Sequence, residues 1–207
     1  MTMLRGGALL ILVVAGLVGA GASVTKKSPV REIAILETSL GTVEVELYRA
    51  DAPRTVENFV KLASKKFFDG LRFHRVSRGF VIQTGDPLSR DTKAMQKWGT
   101  GGKSIYGKEF EDELNPATPS YRRGYVRGAV AMANHGRNTN SSQFFIMIAD
   151  APQMPKSYTI FGSVVKGMEV VEKIGGVELD PSYATDGRPK QEVLLKKVTI
   201  KKGAAAK

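Results

Sequence analysis

Residues 73–86 read Phe73-His-Arg-Val-Ser-Arg-Gly-Phe-Val-Ile-Gln-Thr-Gly-Asp86 (FHRVSRGFVIQTGD), a segment built like a buried strand yet carrying Arg75, Phe80 and Gln83. The pattern recurs in kind over 132–145, MANHGRNTNSSQFF, where small polar residues again interrupt an apolar run. Two such interruptions in one small domain predict polar groups converging on a shared apolar site, the usual anatomy of a ligand pocket. Their composition suggests a site for a peptide.

The chain has 207 residues, enough for one domain with a substantial core and too few for two generous ones. It contains no cysteine, which excludes disulfides, a thiolate nucleophile and cysteine-ligated metal. His74 and His135 are its two histidines, too few for a typical zinc site unless carboxylates supply the rest. A domain without cofactor is expected. Working outward to the N-terminus, Arg5 is the single charge in residues 1–22, ahead of an unbroken apolar run from Ala8 to Val18 and small residues at Ala20 and Ala22. This is the pattern of a signal peptide, with cleavage predicted after Ala22. The run is short for a spanning helix, which needs ~20 residues, but Leu4 to Val24 left uncleaved would still serve as a membrane anchor. Export to the periplasm, the extracellular space or a secretory lumen is the expected localisation, with residues 23–30 as a linker, 31–202 as the domain and 203–207 as a tail.

Losing residues 1–22 lowers the formal charge only from +11 to +10. The basic residues are scattered in pairs such as Lys65-Lys66, Arg122-Arg123 and Lys201-Lys202, with no aromatic-basic cluster, so no nucleic-acid partner is expected. A solvated basic surface, or attraction to anionic membranes and walls, is the simpler meaning.

Arg31–Thr38 and Thr42–Leu47 predict a half-buried hairpin turning at Ser39–Gly41, with Val43, Val45 and Leu47 on one face. Asp51 offers a cap ahead of Pro53, and Val56, Phe59, Val60, Ala63 and Phe67 follow at helical spacing. Short apolar runs at 80–82, 129–132, 144–148, 159–165 and 193–201 read as strands, and 168–174 as a second helix stopped by Gly175-Gly176. Many short strands and two helices without regular alternation predict a mainly β domain, an antiparallel barrel or sandwich capped by helices.

Gly102-Lys103-Ser104 resembles the end of a phosphate-binding loop, but the first glycine of that motif would fall at Lys97. The nucleotide reading fails there. Asn140-Ser141-Ser142 is formally a glycosylation sequon set inside the segment 132–145, and carries little weight.

The stretch 73–86, then GTGGKSIYGKEFEDE (99–113), MANHGRNTNSSQFFI (132–146) and FGSVVKGMEVVEKI (161–174), taken in order, resemble the signature segments of the cyclophilin-type peptidyl-prolyl isomerases. The resemblance covers about Ile33 to Lys201. It implies a closed eight-stranded antiparallel β-barrel with a helix at each end, and the activity of a rotamase that turns X-Pro bonds without a cofactor. Arg75, Phe80 and Gln83 would be the catalytic residues. Val81, Phe145, Met154 and Tyr158 would line a proline pocket with Phe80, while Ala133, Asn134, Gln143 and Gln153 would meet the substrate. Its partners would be proline-containing segments of client proteins.

Three departures from the family's pattern stand out. Gln153 takes the place of a tryptophan that grips cyclosporin in many members, which predicts weak binding of that drug. Val81 replaces a methionine, and Tyr158 replaces a histidine while keeping an aromatic face and a polar tip. The loop Pro87–Trp98 is also longer than in short single-domain members. The competing reading is a proline-peptide-binding module, or holdase chaperone, without turnover.

Overall fold

The computed structural model describes residues 31–203, so the predicted leader and the last residues lie outside it. Strand β1 (Arg31–Thr38) and β2 (Gly41–Leu47) form the predicted hairpin, pairing from Glu32↔Leu47 to Thr38↔Gly41. Val43, Val45 and Leu47 are buried, as the alternation requires. Helix α1 (Pro53–Ser64) follows, burying Val56, Phe59, Leu62 and Ala63. Asp51 does not cap it. The first-turn N–H groups of Arg54 and Thr55 instead donate to the Glu113 carboxylate at 3.0 and 2.8 Å. Asp51 turns to the N–H of Ser120, at the start of the short helix α2 (Pro119–Arg123), at 2.8 Å.

The remaining elements are β3 (Leu71–Arg72), β4 (Arg75–Ser77), β5 (Val81–Thr84), β6 (Ala129–Met132), β7 (Phe144–Met147), β8 (Ile160–Lys166), α3 (Met168–Gly175), β9 (Asp186–Gly187) and β10 (Leu194–Gly203). All strands join one antiparallel sheet in the order β3-β10-β1-β2-β8-β6-β7-β5-β4-β9. The family resemblance implied a closed eight-stranded barrel; the sheet is an open, half-barrel arrangement of ten strands, since β3 and β9 at its ends do not pair. The physical reason lies at Phe73-His74, which separate β3 from β4. The chain leaves the ladder of β10 after Phe73, whose N–H reaches Val193, and takes up that of β5 at Arg75↔Gln83. One end of the strand order, β3, is therefore linked by covalent chain to β4, next to the other end, where a ladder would close a barrel. The two predicted helices are present as α1 and α3, and α2 is a third.

Strand alternation sorts the side chains into two clusters. Val76, Ile82, Val130, Met132, Phe144, Ile146 and Phe161 face the main core, where Phe59 of α1 meets Phe68, Phe144 and Phe161 at ring separations of 5.0, 5.5 and 5.4 Å. Val81, Ala129, Ala131, Phe145, Met147 and Ile160 face the other way with Tyr125. Both faces of β5, β6 and β7 are covered, which is why these strands read as continuous apolar runs. Among the described residues no helix is long and apolar enough to cross a membrane.

Candidate active site

Antiparallel register builds the site. Arg75 pairs with Gln83 across β4 and β5, Gln83 with Phe145 across β5 and β7, and Phe145 with Ala131 across β7 and β6. Directly opposed residues share a face, so a cation, an amide and an aromatic ring stand in one row. Gly85, at φ +95°, then turns the chain out of β5, and a Cβ there would lie 2.2 Å from the carbonyl oxygen of Ser142.

The row opens into a cavity of about 660 Å³ lined by Arg75, Phe80, Val81, Gln83, Ala133, Asn134, Phe145, Met154 and Tyr158. Of the residues expected at the site, these nine come together. Phe80 sits in the turn joining β4 to β5, held by its N–H on the carbonyl of Ser77 at 3.0 Å and its own carbonyl on Ile148 N–H at 2.8 Å. Phe145 and Tyr158 meet edge to face with ring centroids 5.5 Å apart. The backbone of Tyr158 is pinned by the Tyr125 hydroxyl, which accepts from its N–H and donates to its carbonyl. Burial pushes the Tyr125 hydroxyl up to about 12, so it stays protonated for both bonds.

The Arg75 guanidinium is held by a directed relay. Its Nη1 donates to Gln83 Oε1 at 3.0 Å, Gln83 Nε2 donates to Gln143 Oε1 at 2.9 Å, and Gln143 Nε2 donates to the carbonyls of Gly99 and Gly101. Gln143 therefore stands behind Gln83 as support, whereas the sequence reading set it against the substrate. Gln153, also expected to meet the substrate, stands apart from the other expected residues. It is exposed just ahead of Met154, outside the cavity lining.

Asn134 donates its amide to the carbonyl of Ser157 at 2.9 Å, and among the described residues its backbone N–H and carbonyl have no hydrogen-bond partner. An extended peptide can use both. The glycine-rich loop after Trp98 does bind an anion, but the protein's own. The N–H groups of Gly99 and Gly101 converge on the buried Asp86 carboxylate. This gives the failed phosphate motif a structural meaning. The Asn140 side chain, in the formal sequon, is fully buried and donates to Phe110 and Asp112.

Several lining residues had no short-range signal in the sequence. The loop Pro87–Trp98 folds as two 3₁₀ turns, started by Asp86 and Asp91 side chains on Leu88 and Lys93 N–H, and brings Met95 and Trp98 to the cavity. Trp98 donates to the carbonyl of Asp91 and lies under the Arg72 guanidinium at 5.5 Å. His74 also lines the cavity, buried with neither ring nitrogen partnered, and burial pushes it down to about 4 against the pull of Asp86. Tyr183, Asp186 and Arg188 complete the wall from a segment more than a hundred residues from Arg75.

Comparison with known proteins identifies the family. The family model described as Cyclophilin type peptidyl-prolyl cis-trans isomerase/CLD matches residues 33–200. Peptidyl-prolyl cis-trans isomerase-like 3 of Gallus gallus is 41% identical over 165 residues, covering 80% of this chain and 93% of the relative. Peptidylprolyl isomerase domain and WD repeat-containing protein 1 of Mus musculus is 41% identical over 172 residues; 83% of this chain is matched, spanning only 24% of that longer protein. A cyclophilin-type isomerase of Cryptosporidium parvum, solved in the presence of the dipeptide Ala-Pro, superposes with a TM-score of 0.70 at 32% identity, covering 82% of this chain and 98% of that one. The match runs through every strand of the Arg75–Ala131 row, and on it the chain belongs to the cyclophilin-type peptidyl-prolyl cis-trans isomerase family.

Proposed function

We propose that the protein accelerates cis-trans rotation of X-Pro bonds in the folding of exported proteins, by non-covalent stabilisation of the twisted amide. The observation that carries this reading is the row Arg75, Gln83, Phe145: a tethered guanidinium and an apolar wall, set two strand spacings, roughly 10 Å, apart in one cavity.

Rotation about a peptide bond costs ~18–20 kcal/mol because the C–N bond has partial double-bond character. In the twisted state the prolyl nitrogen becomes pyramidal and gains a lone pair. A guanidinium aimed at that nitrogen binds the twisted state better than either planar one, which is the condition for catalysis. Phe145, Tyr158, Met154 and Val81 would grip the ring and exclude water, strengthening each polar contact. Asn134 would pair with the substrate backbone. Val81 gives a smaller wall than a methionine, and Tyr158 presents both an aromatic face and a hydroxyl.

The test is a protease-coupled assay on a short X-Pro peptide. Equal rates with and without the protein would sink the isomerase reading, and peptide binding without acceleration would make the chain a holdase. The exported setting rests on residues 1–24 alone. N-terminal sequencing of protein from cell fractions checks it: a mature chain starting at Ser23 supports cleavage, and an intact leader in the membrane fraction supports an anchor. Cyclosporin titration completes the reading, with weak binding expected for the natural chain and tighter binding for Gln153→Trp.

A further inference from the structure

Arginine has five N–H donors in a fixed planar fork. In Arg75 three are engaged. Nη1 donates to Gln83, while Nε and Nη2 donate to the two carboxylate oxygens of Asp186 at 2.8 and 2.6 Å. Two N–H groups remain, one on each Nη. We propose that Asp186 is a positioning residue for the isomerase reaction: its carboxylate sets the plane of the Arg75 guanidinium so that these two donors face the prolyl nitrogen. The inference rests on the reading of Arg75 as the donor to the twisted amide.

Three features of the structure support it. First, the contact is bidentate, and a two-point contact fixes a plane where a single amide from Gln83 leaves rotation about one bond. Second, Asp186 is presented by a braced segment. Strand β9 pairs with Val76 and Ser77 of β4, Asp180 holds Arg188 through Nε and Nη2 at 3.1 and 2.7 Å, and Arg78 N–H donates to the carbonyl of Thr185. Tyr183 packs over Gly187 so closely that a Cβ there would lie 2.1 Å from its ring. Third, the pair is poorly placed to serve stability. The two side chains are 38% and 43% exposed, and ion pairs at such sites contribute little to folding. What a bidentate clamp provides there is direction, and pre-organised donors are what a non-covalent catalyst needs.

The clamp also offsets the cationic charge of Arg75. In the natural protein Arg75 acts through aimed N–H groups; without Asp186 it becomes a bare cation beside the bound peptide. Substrate choice should then respond to charge. Peptides with Glu next to the proline should gain on those with Lys when Asp186 is removed, a change that loss of local structure alone does not produce.

The experiment is steady-state kinetics of the full chain with Asp186→Ala, Asp186→Asn and Arg75→Ala, alone and combined. For Asp186→Ala, kcat is expected to fall about tenfold with KM within about twofold, as for an interaction made in the transition state. Asp186→Asn, which keeps one oxygen acceptor, should fall less. In the Arg75→Ala background, Asp186→Ala should change nothing further. The Arg75 Nε–H resonance should move in Asp186→Ala with the thermal midpoint little altered. An unchanged kcat in Asp186→Ala, or a loss that persists without Arg75, overturns the inference. If Arg75→Ala keeps the full rate, the donor reading beneath it falls as well; if only Asp186→Ala keeps it, the donor reading stands and the positioning role alone is lost.

Discussion

Arg75 and His74 are neighbours in sequence with opposite electrostatic fates. Arg75 is tethered by Gln83 and Asp186 at the cavity wall, and Arg75→Ala should lower kcat/KM about 100-fold, by analogy with removing one transition-state donor; a loss under about threefold in the protease-coupled assay would remove its role. His74 is buried with both ring nitrogens unpartnered, and burial lowers it from 6.5 to about 4. Its folded value lies below the unfolded one, so the unfolded chain takes up the proton first. The neutral ring's contribution is complete above about pH 6.5 and is lost as the pH falls towards about 4, a differential on the order of 3 kcal/mol. Urea midpoints between pH 7 and 4 should fall steeply for the natural protein and less steeply for His74→Gln. Parallel slopes would show that other groups set the acid sensitivity.

Elements are placed by partners remote in sequence. Helix α1 carried a readable start in Asp51 and Pro53, yet its open N–H groups are satisfied by Glu113 while Asp51 serves α2. Both carboxylates lie near helix starts, and only packing decides which meets which. Glu113→Ala should cost about 1 kcal/mol, the usual value of a lost helix cap, and Asp51→Ala should leave α1 in place; both are measured by denaturant titration with helical ellipticity as the probe. The β4–β5 hairpin is equally dependent on its turn-out. Gly85→Ala meets both a positive φ and the Ser142 carbonyl, so it should cost well over about 1 kcal/mol and disturb Gln83, two residues away. An unchanged denaturation midpoint would contradict that geometry.

The molecule as a whole couples its core to its site through shared strands. Phe144 and Phe145 are consecutive in β7, one packed on Phe59 and the other in the cavity. Phe144→Ala should therefore destabilise by about 3–5 kcal/mol with the site chemistry intact in whatever fraction stays folded. Phe145→Ala should mainly raise KM for X-Pro peptides, because it removes a ring-binding wall. Calorimetry and steady-state kinetics separate the two. The β1–β2 hairpin, the spans of α1 and α3, the central strands and the Arg75, Phe80, Gln83 and Phe145 set were legible in the sequence, because period-two burial and matched motifs are local properties of the chain. The two-residue strands β3 and β9 were not, since a strand that short has no periodicity to read. Nor were the open ends of the sheet, the withdrawal of Gln143 behind Gln83, or the exposure of Gln153. Residues 73–86 by themselves marked out Arg75, Phe80 and Gln83 as side chains that do not belong to a plain buried strand. Their working geometry was decided by the tertiary structure alone, because the carboxylate of Asp186, the carbonyls of Gly99 and Gly101, and the rings of Met95's neighbour Trp98 and of Tyr183 arrive through space, and a hydrogen bond depends on where its partner is, not on how far along the chain it lies.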